Sequence, residues 1–362
     1  MARELGPQQI EDIAIGAAVL GSGGGGDPFI GKLMALQAIE RHGPVKLVTT
    51  DELSPDGLVV PAAMMGAPTV VVEKIPNGAE LSAAFDALSG YLGQDVVAVL
   101  PIEAGGLNSM LPLALSATLG LPTLDLDGMG RAFPELQMVT FHLHGIAATP
   151  MVIADEKGNQ ALLQTVDNIW TERLARTLTV QMGGSVMIAI YPMTVRQAAD
   201  YGIHGTITLA EKLGAVLRES RHGTQSPVDA LVAAGQGAKL FAGKIVDVER
   251  RTEGGFVRGD VQLEGLDSNA GHQLGVSFQN ENLAATLDGE VIVSVPDLIV
   301  ILDQETGLPV TTESLQYGLR VVVVGFPCAQ QWRTAAGLAV CGPRYFGYDI
   351  EYRPIETVQL PW

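Results

Sequence analysis

Cysteine is nearly absent. The 362 residues hold two, Cys328 and Cys341, too few for a disulfide scaffold or a four-thiolate zinc site, and both are expected to be buried structural thiols. Long hydrophobic runs are missing as well. The longest weakly charged apolar region, 58–72, is broken by Pro61, Gly66 and Pro68 and falls short of the ~20 residues that span a bilayer. Basic side chains are scarce: 22 Lys and Arg face 40 Asp and Glu, a net charge of −18. No basic run offsets this locally, so nucleic acid and anionic membrane surfaces are disfavoured partners. The opening Met-Ala-Arg-Glu-Leu-Gly-Pro lacks a basic segment followed by an apolar one, so no secretory signal is read and the cytoplasm is the default expectation. A nucleophile elbow, a phosphate loop of the Walker type and a His-Glu-x-x-His helix are also absent.

What is present is material for a core, with 47% hydrophobic residues and 43 glycines. Apolar residues at helical spacing run from Gln9 to Leu20, and a second helix is predicted from Pro28 to His42, with Asp27 as its cap. Short apolar runs then alternate with helical patterns. Strands are expected at 45–49, 57–62, 69–73, 96–101 and 122–127, with helices near 80–92 and 106–119. This alternation predicts an α/β N-terminal domain, a helix-covered and partly parallel sheet, over residues 1–172. Helical segments from Trp170 to about His222, around an apolar run at 186–191, read as a hinge region. Beyond Gly235 period-two strands predict a smaller, β-rich α+β domain, and the second domain is set at 173–362.

Gly21-x-Gly23-x-x-Gly26 matches the dinucleotide fingerprint, with Asp51 where a ribose-binding acid would stand. The segment before it reads as a helix, however, and Asp27 would set a carboxylate against a pyrophosphate at the helix N-terminus. Nucleotide binding is therefore disfavoured. Two readings remain: the backbone of Gly23, Gly24, Gly25 and Gly26 approaches a small ligand with Asp27 at the rim, or the loop is a tight helix-to-helix connection with no ligand.

Asp125 and Asp127 stand at i and i+2 near a strand end, and His142 and His144 repeat that spacing on an expected strand over 139–145. Side by side, two such strands would converge oxygen and nitrogen ligands on a divalent cation such as zinc. A solvated acidic face and hydrogen-bonded histidines are the alternatives. Arg131 and Glu135 add a guanidinium and a carboxylate close by. Glu103 and Asn108 sit where a strand end runs into a helix, and they suit the alternating N–H and C=O edge of a ring.

Three stretches, Leu20-Gly-Ser-Gly-Gly-Gly-Gly-Asp-Pro, Pro101-Ile-Glu-Ala-Gly-Gly-Leu-Asn and Asp125-x-Asp127-Gly-Met-Gly-Arg-Ala-Phe-Pro-Glu, resemble the S-methyl thiohydantoin desulfurase-like family. The C-terminal half agrees at Asn280-Glu281-Asn282, Pro296-Asp297-Leu298 and Gly342-Pro343-Arg344-Tyr345. The resemblance implies two domains, a hydantoin-like five-membered ring as small-molecule substrate, and hydrolytic removal of methanethiol from an S-methyl thiohydantoin. On that chemistry Asp125 and Asp127 are the expected water activators, alone or through a metal held with His142 and His144. Arg131 and the glycine backbone would offset charge, Glu135 would add a catalytic carboxylate, and Glu103 with Asn108 would orient the ring. A partner subunit of a hydantoinase or oxoprolinase system, a metal-dependent amidohydrolase and a homo-oligomer are the other expectations.

Overall fold

Strand β3 (Leu58–Gly66) shows why the first sheet is covered on both sides. Its residues Val60, Ala62 and Met64 enter one apolar cluster and Val59, Ala63 and Met65 another, the two-fold alternation of a strand buried on both faces. The computed structural model describes residues 2–67, 70, 74, 76, 78–221, 225–254 and 256–362. In chain order the other strands of this half are β1 (Arg3–Leu5), β2 (Val45–Val48), β4 (Val96–Pro101), β5 (Thr123–Leu124), β6 (Leu126–Asp127), β7 (Met151–Ala154), β8 (Gln160–Leu163), β9 (Ser185–Ala189), β10 (Met193–Thr194) and β11 (Ile203–His204). The main sheet runs β1-β2-β5-β4-β3-β9-β7-β8, with β10 beside β3. Its centre, β2, β5, β4 and β3, is parallel, and both flanks are antiparallel.

Helices α1 (Pro7–Leu20) and α2 (Pro28–His42) are joined by the glycine loop. Next come α3 (Ala79–Leu92) and α4 (Gly106–Leu119), which cover the face bearing Val60 and Met64. The short α5 (Thr140–Leu143), α6 (Asn168–Gln181), α7 (Val195–Tyr201), α8 (Thr206–Ser220) and α9 (Pro227–Gly235) precede the second sheet. That sheet is antiparallel, in the order β16-β15-β14-β13-β12-β18-β17, built from β12 (Ala238–Glu253), β13 (Phe256–Gly265), β14 (Gln273–Gln279), β15 (Glu281–Leu287), β16 (Glu290–Ser294), β17 (Leu298–Asp303) and β18 (Arg320–Phe326). A last helix, α10 (Ala335–Cys341), follows. The fold is the expected α/β sheet domain joined to a β-rich partner. Both cysteines are buried and free. Among the described residues no helix is long and apolar enough to cross a membrane.

Three local expectations are corrected. The apolar run at 186–191 is no hinge: β9 lies inside the first sheet, between β3 and β7. The segment around His142 and His144 is helical turn instead of strand, because the Thr140 N–H is taken by the carbonyl of Gly128 and the chain turns there. Strand β15 was not expected, since Glu281–Leu287 is buried at almost every position and carries no alternation to read. The expected strand over 69–73, Val70 apart, and His222 lie outside the described residues.

Helices α1 and α8 approach closely because each is glycine at the crossing. A Cβ on Gly16 would sit 1.8 Å from the carbonyl oxygen of Ala210, and one on Gly214 would sit 1.8 Å from that of Asp12. Arg218 closes the same contact with two bonds to the Asp12 carboxylate, at 2.8 and 3.1 Å. Helix propensity alone makes Gly→Ala stabilising by about 1 kcal/mol. Here the clash is with backbone, which cannot rotate away, and overpacking of this kind costs about 1–3 kcal/mol. Gly16→Ala and Gly214→Ala are each expected to lower the urea midpoint; a raised midpoint would show that propensity wins.

Candidate functional site

The site is built at the C-terminal end of parallel strand β4, where α/β sheets place their clefts. The chain leaves β4, passes Glu103 and enters α4 with Gly105 as cap. Glu103 is buried, and its carboxyl accepts hydrogen bonds from Asn108 Nδ2 at 2.6 Å and from the Phe133 N–H at 3.3 Å. Asn108 is itself locked to β3, accepting from the Met64 N–H at 2.7 Å and donating to the Met64 carbonyl at 3.1 Å. Its amide is thus spent on positioning Glu103, and the expected ring clamp is replaced by a support.

The second carboxyl comes from the other domain. Glu281, at the start of β15, is 2% exposed, and its Oε1 accepts the Gly25 N–H at 3.1 Å. Among the described residues its buried Oε2 has no hydrogen-bond partner. Only glycine admits this arrangement, since a Cβ on Gly24 would lie 2.2 Å from Glu281 Oε1 and one on Gly23 would lie 2.6 Å from Asn282 Nδ2. The glycine loop is therefore an interdomain seat. Ser22 and Gly23 carbonyls accept the N–H groups of Asn282 and Thr312, at 2.7 and 2.8 Å, and Leu107 N–H bonds the Gly25 carbonyl at 2.9 Å.

Both carboxyls hold their protons unusually well. Burial, and after it the charge of Glu281, pushes Glu103 up to about 8 against the bonds from Asn108 and Phe133. Burial raises Glu281 to about 7, with the nearby Arg131 charge and the Gly25 bond pulling the other way. The two line one cavity of about 60 Å³ together with Gly25, Asn108, Asn280, Glu135, Arg176 and the apolar side chains of Met64, Met65, Ile102, Met129, Phe133, Leu136 and Ile188. Glu135 accepts the Tyr345 hydroxyl at 2.7 Å. Arg176 bonds Glu172 at 2.7 Å and the Pro134 carbonyl at 2.9 Å while stacking on Phe256.

The remaining candidates lie elsewhere. Asp127 is fully buried behind the cleft, where one oxygen takes the N–H groups of Ala104, Met129 and Gly130 at 2.6, 3.0 and 2.7 Å. Burial raises it to about 7, and its work is to hold the Glu103 turn and the 128–131 loop. Asp125 points away and caps α8 through the Ile207 and Thr208 N–H groups, at 3.0 and 3.1 Å, because i and i+2 part company where the strand breaks between them. Arg131 is buried, and its guanidinium is consumed by carbonyls of Ala132, Pro296, Asp297 and Asn282 at 2.8 to 3.4 Å. Asp27 is an exposed helix cap bonded to the Phe29 N–H at 2.8 Å, and Gly26 is buried in the loop bend.

His142 and His144 do not converge. Two positions on a helical turn diverge by about 200°, so His142 meets Asn168 at 3.1 Å while His144 stacks on Tyr201 at 4.2 Å. Among the described residues no group of three or more His, Cys, Asp or Glu side chains is arranged to hold a metal ion. Glu281, which the motif reading did not place in the site, had one available signal: a polar Asn-Glu-Asn step directly before the apolar run 283–287.

Two family models match in tandem, the S-Me-THD-like N-terminal domain over residues 8–165 and the S-Me-THD-like C-terminal domain over residues 166–355. No curated protein matches the chain. A crystal structure of a protein from Chromobacterium violaceum is similar in fold, with a TM-score of 0.83 at 24% identity, over 98% of this chain and 100% of that one.

The raised carboxyls make a signed prediction for stability. A carboxyl that binds its proton more tightly when folded stabilises below its unfolded value, and that contribution is lost as pH rises through the folded value. Between about pH 5 and 8, Glu103 and Glu281 therefore make the protein less stable as pH rises. Glu103→Gln keeps the acceptor for Asn108 and removes the titration. Urea unfolding across that range should show a flatter decline than the wild type, with the variant gaining most at pH 8; parallel declines would place Glu103 in contact with water.

Proposed function

The chain belongs to the S-Me-THD-like family, and from that premise and the cleft we propose that it is a hydrolase of a hydantoin-like five-membered ring, removing methanethiol from an S-methyl thiohydantoin. One observation carries the reading: two buried carboxyls from different domains, raised to about 8 and about 7, line one small cavity. Near neutral pH such a pair keeps one proton between them, which is the state that general acid and general base catalysis together require.

In this reading the ring lies against the methionine and phenylalanine walls, and one ring N–H meets the unpartnered Oε2 of Glu281. Water attacks the ring carbon bearing sulfur. The Glu281 carboxylate takes one of its protons as the carbon–oxygen bond forms. The Glu103 carboxyl gives its proton to the ring nitrogen whose double bond opens. On collapse Glu103 takes back the hydroxyl proton, the carbon–sulfur bond breaks, and Glu281 returns its proton to methanethiolate. Hydantoin and methanethiol leave, and both carboxyls regain their starting states. Asn108 acts through Glu103 as a positioning residue, and Asp127 supports the turn beneath it.

Thiol release from a 2-methylthio-imidazolone, followed by disulfide exchange, reads the reaction directly, since both native thiols are buried. The wild type should turn over, and Glu281→Gln should lose about 10²- to 10⁴-fold in kcat/KM, the worth of positioned acid–base help. The pH profile should be bell-shaped with limbs near 7 and 8, and Glu103→Gln should remove the alkaline limb. His144→Ala should leave turnover unchanged. Absence of thiol from the wild type, or an active Glu281→Gln, would end the proposal.

A further inference from the structure

The first sheet ends in two edges, and they are finished differently. Edge strand β1 is three residues long and carries Arg3 and Glu4, the charged, short form that discourages pairing with another chain. The opposite edge, β8, reads Gln-Ala-Leu-Leu, with no charge and no proline. Among the described residues its outer row of N–H and C=O groups pairs with no further strand.

Exposed apolar side chains gather around that edge. Leu162 on the strand is 43% exposed, and Val166 just beyond it is 88% exposed. Ile169, Trp170 and Leu174 on the outer face of α6 are 46%, 46% and 41% exposed, and Tyr91 at the end of α3 is 52% exposed. Hydrogen bonds tie them into one surface: Gln164 donates to the Tyr91 hydroxyl, and Thr165 joins the strand end to Thr171 on α6 at 2.7 Å. Tyr91 and Trp170, at about 150–250 Å² each and roughly half exposed, offer on the order of 200 Å², and the four aliphatic side chains extend it. A stable interface needs about 800 Å² from each partner, and the strand backbone and rim supply the difference.

Charge selects the occupant. A chain of net charge −18 repels a copy of itself over most of its surface. Here the exposed charges of 160–174 are Asp167 and Arg173, which cancel, and Arg173 lies over the Trp170 ring at 5.4 Å. We propose that a second copy of this chain docks here, β8 pairing antiparallel with the β8 of its mate and continuing the sheet across a two-fold axis. None of the six exposed apolar side chains lines the cleft of Glu103 and Glu281.

Sedimentation or light scattering of the full chain at about 10 µM should give a dimer. Val166→Glu and Trp170→Glu change side chains that are 88% and 46% exposed, so the double variant should keep its circular dichroism and run as a monomer. Leu162→Cys adds the one accessible thiol, and mild oxidation should link two chains through it. A monomeric wild type at 100 µM, or a double variant that stays dimeric, would overturn the proposal. A dimer that no oxidised Leu162→Cys links would place the axis elsewhere and overturn the strand pairing.

Discussion

A buried guanidinium sets the relation of the two domains. Arg131 is fully enclosed, and among the described residues no carboxylate bonds it; carbonyl oxygens of Pro296, Asp297 and Asn282 surround it instead. Burying a charge costs several kcal/mol after relaxation, and that cost is offset only where the geometry of the surrounding dipoles is tight. The three carbonyls belong to the second domain and Arg131 to the first, so the cost of leaving the guanidinium bare opposes any separation. Asn282 follows Glu281 directly, and the bond that satisfies Arg131 also delivers Glu281 to the cleft.

The same charge divides the labour between the carboxyls. Arg131 favours the ionised form of Glu281, and Glu281 in turn disfavours ionisation of Glu103. Both influences weight the proton toward Glu103. Hydrogen bonding points the other way at Glu103, where Asn108 and Phe133 favour the carboxylate, yet complete burial outweighs both. Two carboxyls of one residue type are thus set apart by their surroundings alone.

The layout of the first sheet and its helices was legible because local signals agreed there: the cap at Asp27, apolar residues at helical spacing in α1 and α2, and short apolar runs at β3 and β4 set between helical patterns. Glu103 and Asn108 were legible as a strand end running into a helix, though Asn108 supports rather than clamps. The glycine loop was legible as a close approach, but not whose. It admits the side chains of Glu281 and Asn282, which stand more than 250 positions away along the chain, and nothing local encodes a partner at that separation. Asp125 misled for the opposite reason. Its spacing to Asp127 is that of one strand face, whereas the strand breaks between them and sends Asp125 to cap α8. The imidazole pair misled by the same route, a period of two read onto a segment that turns helical.

Placing one carboxyl on each domain has a consequence for how their proton affinities are maintained. Glu103 and Glu281 are raised by burial above all else, and the burial of each depends on the domain that carries the other. Were the glycine loop to leave its seat, Glu281 would lose the Gly25 N–H, gain water and ionise in the ordinary carboxylate range, and Glu103 would lose the charge that helps to protonate it. The two raised carboxyls therefore depend on the docked molecule. Mutations that loosen Arg131 or the 22–25 seat thus act on the two carboxyls, although the Arg131 side chain does not line the cleft.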